Sequence, residues 1–262
     1  MLDTVEAVRF IQAMKSGRNV PLAIEAERAD GGMVDVVVKL ASCECGRGGL
    51  IREAVASMLA ADLNLPIAEP FIVNTGSDFM ATLLSPPLRQ RFDPSVPAFG
   101  CALIEGMQPY VATAPLTNAM TDCAGRTLAF DGAIMNQDRI VSKANCLTNG
   151  LSLLLIDHEL SLNLHGRGGI LAPDPWQPNA LIPLTMGPTK HLFFEKVKSQ
   201  GTSYPAMLAQ LAKITNERIE EYANAIPPEW DEDDLLSEIT NYIRDLVANA
   251  AKLSSEISSI IA

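Results

Sequence analysis

Apolar and polar positions alternate most clearly from Met33 to Ala41, MVDVVVKLA. Val34, Val36, Val38 and Leu40 fall on one side, and Val37, Lys39 and Ala41 fall on the other. A period of two among β-branched residues predicts a strand. Asp30-Gly31-Gly32 predicts a hairpin that joins it to a strand over Ala23 to Arg28. From Leu50 to Leu63 the chain is rich in strong helix formers. In the predicted helix Glu53 shares a face with Leu50, Ala56, Ser57 and Ala60. Phe99 to Ile104 predicts a strand that emerges into a connector at Glu105-Gly106. A helix over about Asn118 to Asn136 precedes a hairpin centred on Asn149-Gly150.

At the amino end, Asp3 with Glu6 three residues on predicts a short capped helix. Gly166 to Pro188 is dense in glycine and proline and predicts an irregular loop. Beyond Lys190 the pattern is helical. Asp231 is expected to cap a last long helix, whose stripe of Leu235, Ile239, Tyr242, Ile243 and Leu246 reads as core, with a partner groove as the second reading.

Composition narrows the class. The chain has 262 residues, 48% hydrophobic and 19% charged, which describes an ordered protein with a large core. A net charge of −11 without a Lys/Arg cluster argues against a nucleic-acid or anionic-membrane surface. No apolar run is long enough to span a bilayer, and MLDTVEAVRF has no basic-then-apolar leader. Five cysteines without framework spacing suit a reducing cytoplasm, and Cys43-x-Cys45 lacks a second pair for zinc.

Candidate chemistry concentrates between Phe130 and Glu159, FDGAIMNQDRIVSKANCLTNGLSLLLIDHE. Asn149-Gly150 favours a tight type I′ hairpin between strands over Asn145 to Thr148 and Leu151 to Ile156. Pairing Thr148 with Leu151 sets Asn145 opposite Leu154, with Asp157 three residues beyond at the open end. At roughly 3.3 Å per residue, both side chains reach one ion. Asn145 and Asp157, with Asp138 just upstream, form an oxygen-rich set that suits Mg²⁺ on nucleotide phosphates. Taken singly, these residues also read as turn caps on a surface hairpin.

The ordered motifs Phe130-Asp131, Asn136-Gln137-Asp138-Arg139, Asn145-Cys146-Leu147 and Ile156-Asp157-His158 resemble the catalytic pattern of the HipA-like protein kinases, in particular their short stand-alone domains. The likeness runs over roughly residues 15 to 160. It implies a bilobal α+β kinase-like fold with an antiparallel N-lobe sheet and one helix over residues 1–106. A mostly helical C-lobe would follow over 107–262. It also implies ATP and Mg²⁺ as cofactors, with Asp138 accepting or orienting the hydroxyl proton of the acceptor. Arg139 would then neutralise the phosphoryl group or, as the preferred role, brace the loop through Asp131. Asn145 and Asp157 would hold the metal.

Upstream, the resemblance assigns Lys39 to the phosphates and Glu53 to its ion pair. An edge-strand lysine and a surface carboxylate beside Arg52 are the plainer readings of these two. LNLPIAEPF matches the family's helix exit, with Asn64 where glycine is usual. Ile104, Glu105 and Met107 fall at the expected hinge, where backbone groups meet adenine. Ser42 to Gly49, SCECGRGG, follows the lysine and reads either as a phosphate cradle or as a flexible connector.

The expected function is ATP-dependent transfer of phosphate to Ser or Thr of a protein, in the cytoplasm, with Ser42 or Thr185 as sites of self-modification. Alternatives are a lipid or small-molecule kinase of the same fold, or a non-catalytic nucleotide-binding protein that serves a partner or antitoxin-like protein. His158 is expected to shape the turn after Asp157, while His165 and His191 have no evident partner. No Gly-x-Ser-x-Gly elbow supports a hydrolase.

Overall fold

The structure is a computed structural model. It describes residues 2–14, 21–164, 173–231 and 234–262. The first half is built around five strands: β1 (Asp3–Ala13), β2 (Leu22–Arg28), β3 (Met33–Lys39), β4 (Pro70–Asn74) and β5 (Ala98–Ala102). They close into a barrel in the order β1-β2-β3-β5-β4. Adjacent strands run antiparallel except β1 and β4, where Asp3 to Glu6 pair in parallel with Phe71 to Asn74. The purely antiparallel sheet expected from the sequence is therefore corrected to a mixed, closed one.

The expected amino-terminal helix is also corrected, because its residues form β1. The ladder with β2 slips between Ala7 and Arg9 and again between Phe10 and Gln12. Each bulge inserts one residue, so after Val5 and Ala7 the next side chain packed on the barrel core is Phe10, which breaks the period of two.

Inside the barrel Val5, Leu22, Ile24, Val36, Val38, Phe71 and Val73 are buried together, as the alternation in β3 predicts. Gly100 in β5 serves close approach, since a Cβ there would lie 2.6 Å from Val73 Cγ2. Three helices accompany the barrel strands instead of one: α1 (Gly46–Asp62), α2 (Ser77–Thr82) and α3 (Pro86–Arg89).

Helix α1 starts four residues before its expected position, so Gly46 to Gly49 form its first turn rather than a free loop. A Cβ on Gly49 would lie 2.5 Å from Cys45 Cβ, and one on Gly48 would lie 3.0 Å from Leu235 Cδ2. These glycines admit close packing at the start of a helix that is buried along most of its length. The helix ends in a Schellman motif. Asn64 takes φ 54, Leu65 N donates to Ala60 O, and Asn64 N donates to Ala61 O. Asp62, at the last turn, accepts from Arg218 Nε and Tyr222 Oη and ties α1 to the helical half.

The second core gathers α1, α4 (Asn118–Ala133) and the later helices. Between β5 and α4 comes β6 (Gln108–Pro109), which joins β7 (Cys146–Thr148) and β8 (Leu153–Leu155) in a three-stranded sheet. Of the irregular loop expected over Gly166 to Pro188, residues 166–172 lie outside the described residues, and the rest holds short 3₁₀ turns at 182–184 and 187–189. Helices α5 (Phe194–Val197), α6 (Tyr204–Leu211), α7 (Asn216–Asn224), α8 (Leu235–Ala248) and α9 (Ala250–Ile261) follow.

Ile239, Tyr242, Ile243 and Leu246 of α8 are buried in this core, which settles their stripe as packing rather than a partner groove. Asp231 is not the N-cap of α8. That position is Asp234, although Asp231 Oδ1 accepts from Leu236 N at 3.3 Å. Among the described residues no helix is long and apolar enough to cross a membrane.

Candidate functional site

The Phe130 to Glu159 segment is positioned by the early end of α4. The helix stops at Ala133, three residues before the expected limit, and Met135 turns left-handed at φ 55. Asn136 N then returns to Asp131 O at 2.8 Å, and its side chain donates to Asp131 Oδ1 at 2.9 Å. Asn136 Oδ1 accepts from Asp138 N at 3.1 Å and fixes the start of the Asp138 loop.

Arg139 runs inward from this loop. Its side chain and that of Asp131 are both 0% exposed, with Nε 2.6 Å from Oδ2. Its Nη1 donates to the carbonyls of Asn145 and Ile156, the two ends of the β7–β8 hairpin. Nη2 contacts His158 Nε2 at 3.1 Å. A guanidinium cannot accept a hydrogen bond, so Nε2 is the acceptor here.

Burial opposes ionisation of Asp131, but Arg139 and His191 outweigh it and hold the carboxyl well below its usual range. His191, left without an evident partner by the sequence, lies 2.9 Å from Asp131 Oδ2 through Nε2 and accepts from Phe193 N at Nδ1. Burial lowers its pKa despite the carboxylate. His165 lies outside the described residues.

The hairpin register differs from expectation. Thr148 pairs with Leu153, not Leu151, and Cys146 pairs with Leu155. Asn149 caps the loop with its side chain, accepting from Leu151 N and Ser152 N, so only Gly150 takes positive φ. The shift sets Asn145 beside Ile156, whose N–H donates to Asn145 O at 3.2 Å. Asp157 is then one residue away rather than three. Both Asn145 and Asp157 are left-handed, at φ 44 and 64, which turns their side chains out of the ladder.

Lys39 emerges from β3 between three carboxylates. Its ammonium contacts Glu53 Oε1, Asp157 Oδ1 at 2.5 Å and Glu159 Oε2 at 3.1 Å. Burial works against its charge, but the carboxylates overcome this and raise its pKa well above the ordinary value. Glu53 is 3% exposed and also accepts from His158 N at 2.9 Å. Against the cost of burial, Lys39 and His158 hold its pKa low. Asp157 is likewise lowered, with Lys39 prevailing over burial.

On the other side of Asp157, Lys143 bridges its Oδ2 at 3.1 Å and Asp138 Oδ2 at 2.5 Å. Asn145 Nδ2 also donates to Asp138 Oδ2, at 3.0 Å. Lys39, Glu53, Asp138, Asn145 and Asp157, distant in sequence, thus form one connected polar cluster braced by Arg139.

Two residues of this cluster, Lys143 and Glu159, were not singled out in the sequence. Lys143 had a signal, since it lies between Asp138 and Asn145. Ile104, Glu105 and Gly106 are exposed between β5 and β6, outside both ladders. Glu53, Asp157 and Glu159 offer carboxylate oxygens within 4.8 Å of one another, around the Lys39 ammonium. Such hard oxygen donors fit a Mg²⁺-like ion. A separate cavity of about 710 Å³, between Asn64–Pro70, α4 and Leu151–Leu153, shares no residue with the cluster.

Comparison with known proteins gives the family. A family model for HipA-like kinases matches residues 8–166. No curated protein matches the chain. One solved structure it resembles is described as the golgi casein kinase, with a TM-score of 0.49 and 10% identity, over 97% of this chain and 75% of that one. The matched residues make up more than half of the sequence and contain Lys39, Glu53, Asp138, Asn145 and Asp157. The chain belongs to the HipA-like kinase family and is a phosphotransferase.

Proposed function

We propose that the chain transfers the γ-phosphate of ATP, with Mg²⁺, to the hydroxyl of Ser or Thr in a protein acceptor. The observation that carries this reading is the meeting at Asp157 of two ammonium groups. One belongs to the Glu53-held Lys39, the other to Lys143, which also binds Asp138. Lys39 supplies a fixed positive charge for the α- and β-phosphates, and Glu53 keeps it in place. Asn145 and Asp157 would hold the metal, which neutralises charge on the β- and γ-phosphates when bound. Residues 1–106 and 107–262 act as two lobes around the nucleotide, with the adenine against the backbone of Ile104 to Met107.

Asp138 receives the proton of the attacking hydroxyl as the new O–P bond forms and the bond from Pγ to the bridging oxygen breaks. Its Oδ2 is already held by Lys143 and Asn145, which orients the carboxylate before substrate arrives. Arg139 has its guanidinium committed to Asp131, His158 and two carbonyls, and we assign it to bracing this loop rather than to touching phosphate. The acceptor is a protein hydroxyl by family resemblance. None of the five cysteines forms a disulfide.

Thermal denaturation tests the reading. ATP with millimolar Mg²⁺ is expected to raise the melting temperature, because a ligand that binds only the native state stabilises it by mass action. No shift with any nucleotide would contradict it.

A further inference from the structure

In the proposed transfer Lys143 orients Asp138 before substrate arrives, and its position bears on the nucleotide as well. Lys143 has a rigid base. Ile140 N donates to Lys143 O at 3.0 Å and Lys143 N returns to Ile140 O at 3.1 Å, which closes a small turn. That turn is pinned from behind, because Ile140 bridges to His191 and Leu192 N donates to Arg139 O at 2.9 Å. The head of the side chain differs from the base, being 39% exposed. A long stem on a fixed backbone, ending in a partly hydrated ammonium, can exchange partners without rearranging the fold.

Its present partners locate it. One is Asp138, assigned to the acceptor proton, and the other is Asp157, assigned to the metal. During transfer the phosphoryl group has to lie between the attacking hydroxyl and the metal-held phosphates. An ammonium that spans those two carboxylates occupies the border of that space. Lys39 reaches the opposite oxygen of Asp157, Oδ1, and turns toward Glu53 and Glu159. The two lysines therefore flank Asp157 from different sides and are placed for different phosphates.

We propose that Lys143 binds the terminal phosphate of the nucleotide and makes the site prefer a triphosphate over a diphosphate. This rests on the kinase reading of the site. In the free protein Lys143 offsets the charge of Asp138 and Asp157, and with nucleotide it turns to the γ-phosphate oxygens. Its ammonium is partly exposed and already bonded to the Asp138 carboxylate, which places it for a charge-assisted contact with phosphate.

Calorimetric titration of the full chain in Mg²⁺, with ADP and with a non-hydrolysable ATP analogue, tests the proposal. Lys143→Met is expected to weaken the triphosphate analogue by about tenfold or more while ADP affinity stays within about twofold. Lys143→Arg, which keeps the charge, is expected to retain most of the preference. Lys143→Gln repeats the measurement if the Met variant fails to fold. Equal weakening of both nucleotides, or of neither, would overturn the role of Lys143 and leave the kinase reading intact. Binding of neither nucleotide by the unmodified protein would overturn the kinase reading itself.

Discussion

Arg139 and Asp131 form an ion pair from which water is wholly excluded, with Nε 2.6 Å from Oδ2 and both side chains 0% exposed. The same guanidinium holds the carbonyls of Asn145 and Ile156. The pair therefore fixes the spacing between the Asp138 loop and the residues on either side of the hairpin. Removal of one partner leaves a buried charge unpaired. Asp131→Asn and Arg139→Met are each expected to cost about 3–5 kcal/mol in denaturant unfolding. Arg139→Lys is expected to rescue little, because an ammonium lacks the planar fork that serves four partners. Stability within error of the unmodified protein in these variants would show that the brace is not needed.

The left-handed positions allow side-chain chemistry to be separated from backbone strain. Asn145 and Asp157 have φ 44 and 64, a region that costs most L-residues about 1–2 kcal/mol and glycine almost nothing. Asp157→Ala is expected to be less stable than Asp157→Gly by about 1 kcal/mol. Both variants should lose the Mg²⁺-dependent part of nucleotide binding to the same extent. The same comparison applies at Asn145. Binding that stays equally Mg²⁺-dependent in the glycine variants would remove both residues from the metal site.

Much of this arrangement was legible in the sequence. Alternation in β3 placed Lys39 opposite the buried valines, and helical spacing placed Glu53 on an inward face. The order of Asp138, Asn145 and Asp157 carried the resemblance to the family. The parts that were not legible depend on irregular or distant pairing. Asp3 and Glu6 suggested a capped helix, while two bulges break the period of two along β1 and its parallel partner β4 lies some seventy residues away. Asn149-Gly150 suggested a two-residue turn, but the Asn149 side chain caps a longer loop. His191 and Asp131, 60 residues apart, share no local pattern.

Stability should vary with pH in a manner set by these groups. His191 has a folded pKa below its ordinary value, so the unfolded chain takes up the proton first and stability falls as pH drops below about 6.5. Asp131, Glu53 and Asp157 are depressed in the fold, and their contribution is lost below about pH 4. Burial pushes the thiols of Cys45, Cys101 and Cys146 up to about 12, so they ionise first in the unfolded chain. Stability therefore declines again above about pH 8.5. Chemical denaturation across pH is expected to show a plateau between those limits. His191→Gln should remove the first acid decline and leave the carboxylate one; an unchanged profile would exclude His191 as its source.

Phosphate transfer itself is the most direct measurement. With γ-labelled ATP and Mg²⁺, the full chain is expected to label itself or a generic protein acceptor on Ser or Thr. Asp138→Asn is expected to lower that transfer by about a hundredfold or more, the range for loss of a positioned general base. Nucleotide affinity should remain nearly unchanged, because Asp138 is assigned to the acceptor proton and not to the phosphates. Transfer at the unmodified level in Asp138→Asn would contradict the assignment of the base. Absence of any transfer by a protein that binds Mg²⁺-ATP would contradict protein phosphorylation as its activity.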